Sequence, residues 1–444
     1  VATGIPKTKS NGNGSSAFAN GHIQNSPDLI LAYPGKRSEQ EILAIQSSEL
    51  IAVWNGEQFE NGVPQNRLYY GDNLGMLSAL INDRSIQGQV RLVYIDPPFS
   101  TNSAFQSRAQ VDAYDDLLIG APYVEFLRER LILLREILAE NGSIYIHLDE
   151  NMAFPIKIIM DEIFGRKNFR NWITRKKSTP KNYTRKTYGN ISDFILFYTK
   201  SDEYVWNRPF AEWTTVHAEK EYSYIETETG RRFNKVPLHA PGVRHGETGK
   251  PWKGMNPPPG KHWQFTPHTL DEMDARGEIY WSANGNPRRK IYLEQSVGVP
   301  VQDIWLDFKD AHNQNIKVTG YPTEKNPALL ARIVEASSNP GDLVLDCFAG
   351  SGTTLAVASQ LERRWIGIDR SRQAIETILH RFARGLEPMG DFVNNSKTAK
   401  DKSPRQPALF SPTPKMIKDF TLYTTQENRA DLTDILVQWR KMID

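Results

Sequence analysis

Two short stretches of this chain carry residue types that can do chemistry together. The first is Asp96-Pro97-Pro98-Phe99, which follows the apolar run Val90 to Ile95. A carboxylate can accept a hydrogen bond from an NH2 group. Proline has no N–H, so Pro97 leaves its carbonyl as an unopposed acceptor for the second amine hydrogen. Two such acceptors draw an amine towards tetrahedral character and aim its lone pair. Phe99 offers a flat face on which a base can stack. In isolation an Asp-Pro-Pro run reads as a strand-ending turn with a capping Asp. A second constellation in the same chain reverses that reading.

That second constellation is Leu345-Asp346-Cys347-Phe348-Ala349-Gly350-Ser351-Gly352-Thr353-Thr354. It falls between a strand pattern and a helix pattern. Glycines there let backbone approach a ligand closely, and a helix N-terminus presents free N–H groups. About 20 residues on, Gly367-Ile368-Asp369 ends another strand pattern, where an acidic residue can bind ribose hydroxyls. The pair describes a nucleoside-cofactor site. It lacks the Gly-x-Gly-x-x-Gly spacing of dinucleotide sites and the Lys-Ser/Thr ending of a phosphate loop.

The elements around these turns alternate. Leu68 to Tyr70 reads as a strand, followed after Gly71-Asp72-Asn73 by a helix through Leu77 and Leu80. Val90 to Ile95 is a strand stopped by the double proline. Pro122 to Glu140 has apolar residues on one helical face, Ser143 to Leu148 is a strand, and Phe154 to Phe164 a helix. Asp193 to Tyr198 is another strand. After Pro322 the alternation returns: helix 327–336, strand 342–346, helix 353–361, strand 365–369 and helix 371–383. This pattern predicts an α/β fold with a doubly wound, mostly parallel sheet. Ligands of such sheets bind beyond the carboxyl ends of the strands, where both turns fall.

From about Asp202 to Asp310 the pattern changes. Six of the ten tryptophans lie between Trp172 and Trp281, among Tyr, Pro, Gly and charge. This stretch reads as an insertion with a different task from the sheet. The expected organisation is a disordered leader at 1–26, a first half-domain at 27–200, an insertion at 201–315, a second half-domain at 316–393, and a linker and tail at 394–444. The tail ends in a short amphipathic helix pattern from Leu432 to Met442.

Composition bounds the rest. The chain has 444 residues, 39% of them hydrophobic, and a mean hydropathy of −0.53. No apolar stretch reaches the roughly 18 to 20 residues of a membrane span, and no signal peptide pattern opens the chain. A single cysteine, Cys347, excludes an intrachain disulfide and a Cys-rich zinc site, and no metal is expected. The net charge is only +2, but residues 165–200 hold ten basic side chains against one acid, Asp193. That excess can neutralise phosphates, and equally suits a solvated basic loop.

These motifs resemble those of the S-adenosylmethionine-dependent amino-methyltransferases of DNA. Asp96-Pro97-Pro98-Phe99 matches their Asp/Asn/Ser-Pro-Pro-Tyr/Phe/Trp catalytic motif, and Phe348 to Gly352 their Phe-x-Gly-x-Gly cofactor loop. The catalytic motif comes first, as in the β group of that family. Gly71-Asp72-Asn73 and Tyr321-Pro322-Thr323-Glu324-Lys325 match two further motifs. The resemblance spans about Leu68 to Arg384, and 262–307 is similar to adenine-methylating enzymes of the type III modification kind.

The resemblance implies a Rossmann-like methyltransferase fold with an inserted target-recognition region. It implies that Asp72, with Asn73, meets the cofactor adenine and Asp369 the ribose. Asp346, Phe348, Ala349, Gly350, Ser351, Gly352 and Thr353 line the methionine and ribose portion, Thr323 and Lys325 close the pocket, and Asp96 lies near the methionine ammonium. Asp rather than Ser at 96 favours adenine over cytosine as target. The target base is flipped out of double-stranded DNA, with Arg175, Lys176, Lys177, Lys181, Arg185 and Lys186 on phosphates and the aromatic insertion on base edges. A cytoplasmic, DNA-associated protein is expected, with a homodimer and a separate restriction subunit as candidate partners. Other readings stay open: a cytosine-N4, RNA or protein-amide target, a nicotinamide-dependent oxidoreductase, or a non-catalytic DNA-binding module.

Overall fold

The computed structural model describes residues 29–56, 66–98, 105–106, 112–114, 120–178, 186–308, 324–384 and 416–443. Phe99, Lys181, Arg185, Thr323 and the expected leader lie outside them. Ten strands make the main sheet: β1 (Ile51–Asn55), β2 (Asn66–Tyr70), β3 (Val90–Ile95), β4 (Leu138–Leu148), β5 (Phe169–Lys176), β6 (Ser192–Thr199), β7 (Ile304–Trp305), β8 (Leu343–Asp346), β9 (Arg364–Asp369) and β10 (Phe420–Thr424). Their spatial order is β1-β10-β2-β9-β8-β3-β4-β6-β5-β7.

The six strands from β10 to β4 run parallel to one another. β6 then runs antiparallel to both β4 and β5. Helices α1 (Glu39–Leu43), α2 (Asn73–Asn82), α3 (Ala121–Ile137) and α4 (Ala153–Phe164) supply the core on one face of the sheet. In the insertion lie α5 (Thr215–Glu221) and α6 (Pro267–Ala275), and beyond it α7 (Pro327–Ser337), α8 (Thr353–Gln360), α9 (Arg372–Arg384) and α10 (Thr433–Ile443). Helices α7 to α10 bury their apolar sides on the other face. The fold is the expected doubly wound α/β arrangement, and helix α3 shows why it forms: Leu127, Leu131 and Leu134 recur at helical spacing and are all fully buried.

The crossover from β3 through α3 leads to β4 on one side. That from β8 through α8 leads to β9 on the other. Neighbouring strands β8 and β3 are therefore the switch point of the sheet, where such folds open a crevice.

Three features depart from the sequence reading. Eight residues of the basic segment, with three of its ten basic side chains, form strand β5, paired to β6 from Phe169 to Lys176. The C-terminal stretch is no appendage: β10 sits inside the sheet between β1 and β2, and Trp439 of α10 is fully buried. The insertion has a core of its own, built on Leu238, Trp252, Trp263, Leu270, Met273 and Ile279. It carries a four-stranded antiparallel sheet that pairs 232–237 with 287–292. Two of its tryptophans, Trp252 and Trp263, are thus structural, while Trp206 and Trp281 are exposed.

Candidate active site

Strand register brings the separated motifs to one edge. Leu345 of β8 pairs with Val93 of β3 and with Ile366 of β9. Asp369 pairs with Tyr70 of β2, and Ile95 with Ile146 of β4. Asp72, Asp96, the glycine turn after Asp346, and Asp369 therefore all emerge at the carboxyl end of the parallel strands. The turns at 96–98 and 350–352 flank the β8–β3 switch point, as the sequence reading required.

The glycine turn is held by its own acids. Asp346 accepts from the Phe348 N–H at 3.0 Å and from the Thr354 hydroxyl at 2.6 Å. Asp369 accepts from Gly350 N–H at 2.7 Å and Ser371 N–H at 2.8 Å. Gly350 and Gly352 have φ of 52° and 71°, the left-handed region that a side chain disfavours. A Cβ on Gly352 would come within 2.7 Å of Ile378. Gly352 is also the N-cap of α8 and supplies no capping side chain, so the first N–H groups of that helix depend on other acceptors. Burial pushes the Asp346 carboxyl up to about 7, against its two hydrogen bonds, with the Asp96 and Asp369 charges adding to the rise.

Two expected cofactor contacts also have structural tasks. Asn73 is buried, donates to the Cys347 carbonyl at 2.7 Å and accepts from Arg130 Nε at 2.5 Å. It ties α2 to the glycine turn. Asp72 caps α2 through the Leu74 N–H at 2.7 Å, and its exposed side chain stays open to a ligand. Arg130 lies over the Phe126 ring, which meets Phe348 at a centroid distance of 6.0 Å. Cys347 is fully buried, and burial raises its thiol far from thiolate chemistry.

At the other turn, Asp96 Oδ2 is 2.5 Å from Lys325 Nζ. Its Oδ1 is buried and has no hydrogen-bond partner among the described residues. Pro97 is buried, and the Pro98 carbonyl takes the Tyr123 hydroxyl at 2.7 Å, which pins the turn to α3. Beside Lys325, Glu324 pairs with Arg381 in a fully packed setting and so anchors the segment entering α7. Ser351 and Thr353 share a hydrogen bond at 3.0 Å, and Ala349 is buried behind them.

The basic segment needs one correction. Arg175 is wholly buried and bonds both oxygens of Asp193, at 2.8 and 2.6 Å. It cannot reach a phosphate. Lys176 and Lys177 are half-buried at the end of β5 and Lys186 is exposed. Lys176 pairs with Ser192 and His147 with Ile195, so this strand end rises at the same edge as Asp96. Sequence reasoning missed the side chains behind Asp96: Tyr94, His147 and Asp193. The one signal was a histidine at the end of an otherwise apolar strand.

Residues 90–380 match a family described as DNA methylase, with N6 and N4 amino-methyltransferase members. The chain is 45% identical over 427 residues to the type II methyltransferase M.EcaI of Enterobacter cloacae, covering 93% of this chain and 92% of that one. It is 24% identical over 400 residues to a probable type III restriction-modification Mod subunit, HindVI, of Haemophilus influenzae. That match covers 74% of this chain and only 51% of the relative, so the chain spans about half its length. Among solved structures, the M1.HpyAVI–SAM complex is 16% identical with a TM-score of 0.39, covering 71% of this chain and 98% of that one, a likeness too loose to bear on the site.

Proposed function

The chain belongs to the DNA methylase family, an S-adenosylmethionine-dependent methyltransferase of the restriction–modification kind, and from that premise we propose that it methylates the exocyclic N6 amine of adenine in double-stranded DNA. The observation that carries the reading is Asp96 Oδ1, buried and without a donor at the mouth of the β8–β3 crevice. An unsatisfied buried carboxylate oxygen costs free energy unless a ligand completes it. An amine N–H from a flipped base is the donor that the neighbouring proline carbonyl can share.

The residues present fit the cofactor. The left-handed glycines bring backbone close to the Asp369 edge, and the start of α8, whose N-cap Gly352 supplies no side chain, faces it with its first N–H groups. Asp369 and exposed Asp72 would hold the ribose and adenine ends, and the turn from Phe348 to Thr353 the methionine portion. Bound there, the cofactor supplies an activated methyl on a sulfonium, so placement matters more than acid–base power. Asp96 Oδ1 and the Pro97 carbonyl hold the amine so that its lone pair faces the methyl. Lys325 restrains the other carboxylate oxygen. Phe99 would stack on the base. Thr323, with Lys325, would close the pocket.

Lys176, Lys177 and Lys186, with Lys181 and Arg185 between them, would lie along the phosphates beside the crevice. Around His239, which pairs with Trp263 in a two-stranded ribbon of the insertion, burial and the Lys261 and Arg288 charges depress the imidazole, and these cations make a positive corner that suits DNA. No described helix is long and apolar enough to cross a membrane, and a cytoplasmic site of action is proposed with the DNA substrate. Homodimer formation and a separate restriction chain belong to the same proposal.

The deciding experiment incubates the protein with genomic DNA and methyl-labelled cofactor, then separates the nucleosides. Label in N6-methyladenine supports the reading. Label in N4-methylcytosine moves the target base, and no label in DNA ends it.

A further inference from the structure

Behind Asp96 lies a buried line of side chains that the reaction as described leaves without a task. Tyr94, His147, Asp193 and Arg175 are each at most 2% exposed. They point to the face of the sheet covered by α7, from the adjacent strands β3, β4, β6 and β5. Arg175 grips both Asp193 oxygens. His147 Nε2 is 2.9 Å from Asp193 Oδ2. That contact falls short of the linearity of a full hydrogen bond, but Nε2 has no other partner among the described residues. The Tyr94 hydroxyl is 2.9 Å from His147 Nδ1, and Asp96 Oδ1 is 3.9 Å from the same nitrogen.

This order fixes hydrogen positions in sequence. Arg175 keeps Asp193 an acceptor, with burial pushing that carboxyl up but the His147 and Arg175 interactions together holding it well below the usual range. An acceptor at Nε2 draws the imidazole hydrogen there, so Nδ1 of the neutral ring becomes an acceptor. The Tyr94 hydroxyl then donates to Nδ1, and its one hydrogen is turned away from Asp96. Asp96 Oδ1 is left with no protein donor, which is the state in which an amine can take it.

We propose that His147 is a positioning residue. With Nε2 set against Asp193, its Nδ1 keeps the Tyr94 hydroxyl occupied and Asp96 Oδ1 vacant for the target amine. This rests on the amine-methylation reading above. The charged and polar groups around the ring are Tyr94 on β3 and Asp96 just after it, Asp193 on β6, Arg175 on β5 beyond Asp193, and Lys325 on the segment before α7 beyond Asp96. No further covalent step is involved: the amine lone pair would form the N–C bond, the C–S pair would stay on the cofactor sulfur, and the amine proton would pass to water.

The test is single-turnover methyl transfer to DNA at saturating cofactor in wild type, His147→Gln, Tyr94→Phe and the double variant, with cofactor affinity and melting temperature alongside. At pH 8 His147→Gln should be about 10- to 100-fold slower with cofactor affinity retained. In the Tyr94→Phe background no hydroxyl is left to turn onto Asp96, so the same His147 substitution should cost far less. An equal loss in both backgrounds, or a rate lost only in step with melting temperature and cofactor affinity, overturns the proposal. Wild type that methylates nothing in DNA would sink the functional reading itself, a result separate from either variant outcome.

Discussion

Asp96 has two oxygens in different situations, one on Lys325 and one with no donor. Replacing it with alanine removes the amine acceptor while the glycine turn keeps its own bonds to Asp346 and Asp369. Asp96→Ala should therefore lower methyl transfer by at least about 10²-fold, with cofactor affinity reduced only in part. Full transfer activity in that variant would refute the assignment. Asp346 makes a different prediction. Its carboxyl is raised from 3.8 to about 7 in the fold, so its contribution to stability is complete below about pH 4. That contribution is lost as pH rises through 7. The loss is on the order of 4 kcal/mol for a shift of this size. Urea melts of the free protein from pH 4 to 8 should show this slope, and Asp346→Asn should flatten it.

At the scale of elements, strand β5 separates cations of the same segment into two kinds. Arg175 faces the core and holds Asp193, so Arg175→Ala strands a buried carboxylate and should cost about 3–5 kcal/mol. Lys177 emerges at the strand end, and Lys177→Ala should change stability by no more than about 0.5 kcal/mol. If Lys176 and Lys177 contact phosphates, the double alanine variant should reduce the salt slope of DNA binding by roughly 2. An unchanged slope would mean that this strand end faces away from DNA. Chemical denaturation and salt-titrated binding thus read neighbouring side chains at the same end of one strand. The helices α4 and α9 were legible because each buries one stripe, and α7 and α8, buried nearly all round, because α7 opens on Pro327 and α8 follows the glycine turn between strand patterns. Strand β5 was not, because Phe169 to Lys176 is masked by its cations.

For the whole molecule, the C-terminal segment is the unexpected element. Strand β10 lies between β1 and β2, and Phe420, Leu422 and Trp439 are almost wholly buried. Thr424 also bonds the Tyr70 carbonyl at 2.8 Å, next to the turn that carries Asp72. Deleting residues 416–444 would unpair β1, expose an edge of β2 and open the core beneath α9. The shortened chain should fail to accumulate in soluble form, or should melt at least about 10 °C lower, given that several buried aromatic side chains are lost. A truncated protein with unaltered melting and methyl transfer would show that β10 is dispensable.

The amino-acid sequence by itself determined the strand and helix alternation, the two turns able to hold an amine and a nucleoside cofactor, and the resemblance that joined them. Those features are local: Asp-Pro-Pro-Phe and the glycine turn need only their neighbours and the strands that end there. Tertiary structure decided the rest. It put Asp96 beside a turn some 250 positions away, because β8 pairs with β3 as well as with β9, its near neighbour in the chain. It withdrew Arg175 from the surface and Asn73 from the pocket, since charge and residue type do not say which face of a strand or helix a side chain occupies. It also assembled Tyr94, His147 and Asp193 from three strands into one line, an arrangement that exists only once the sheet has closed in this order.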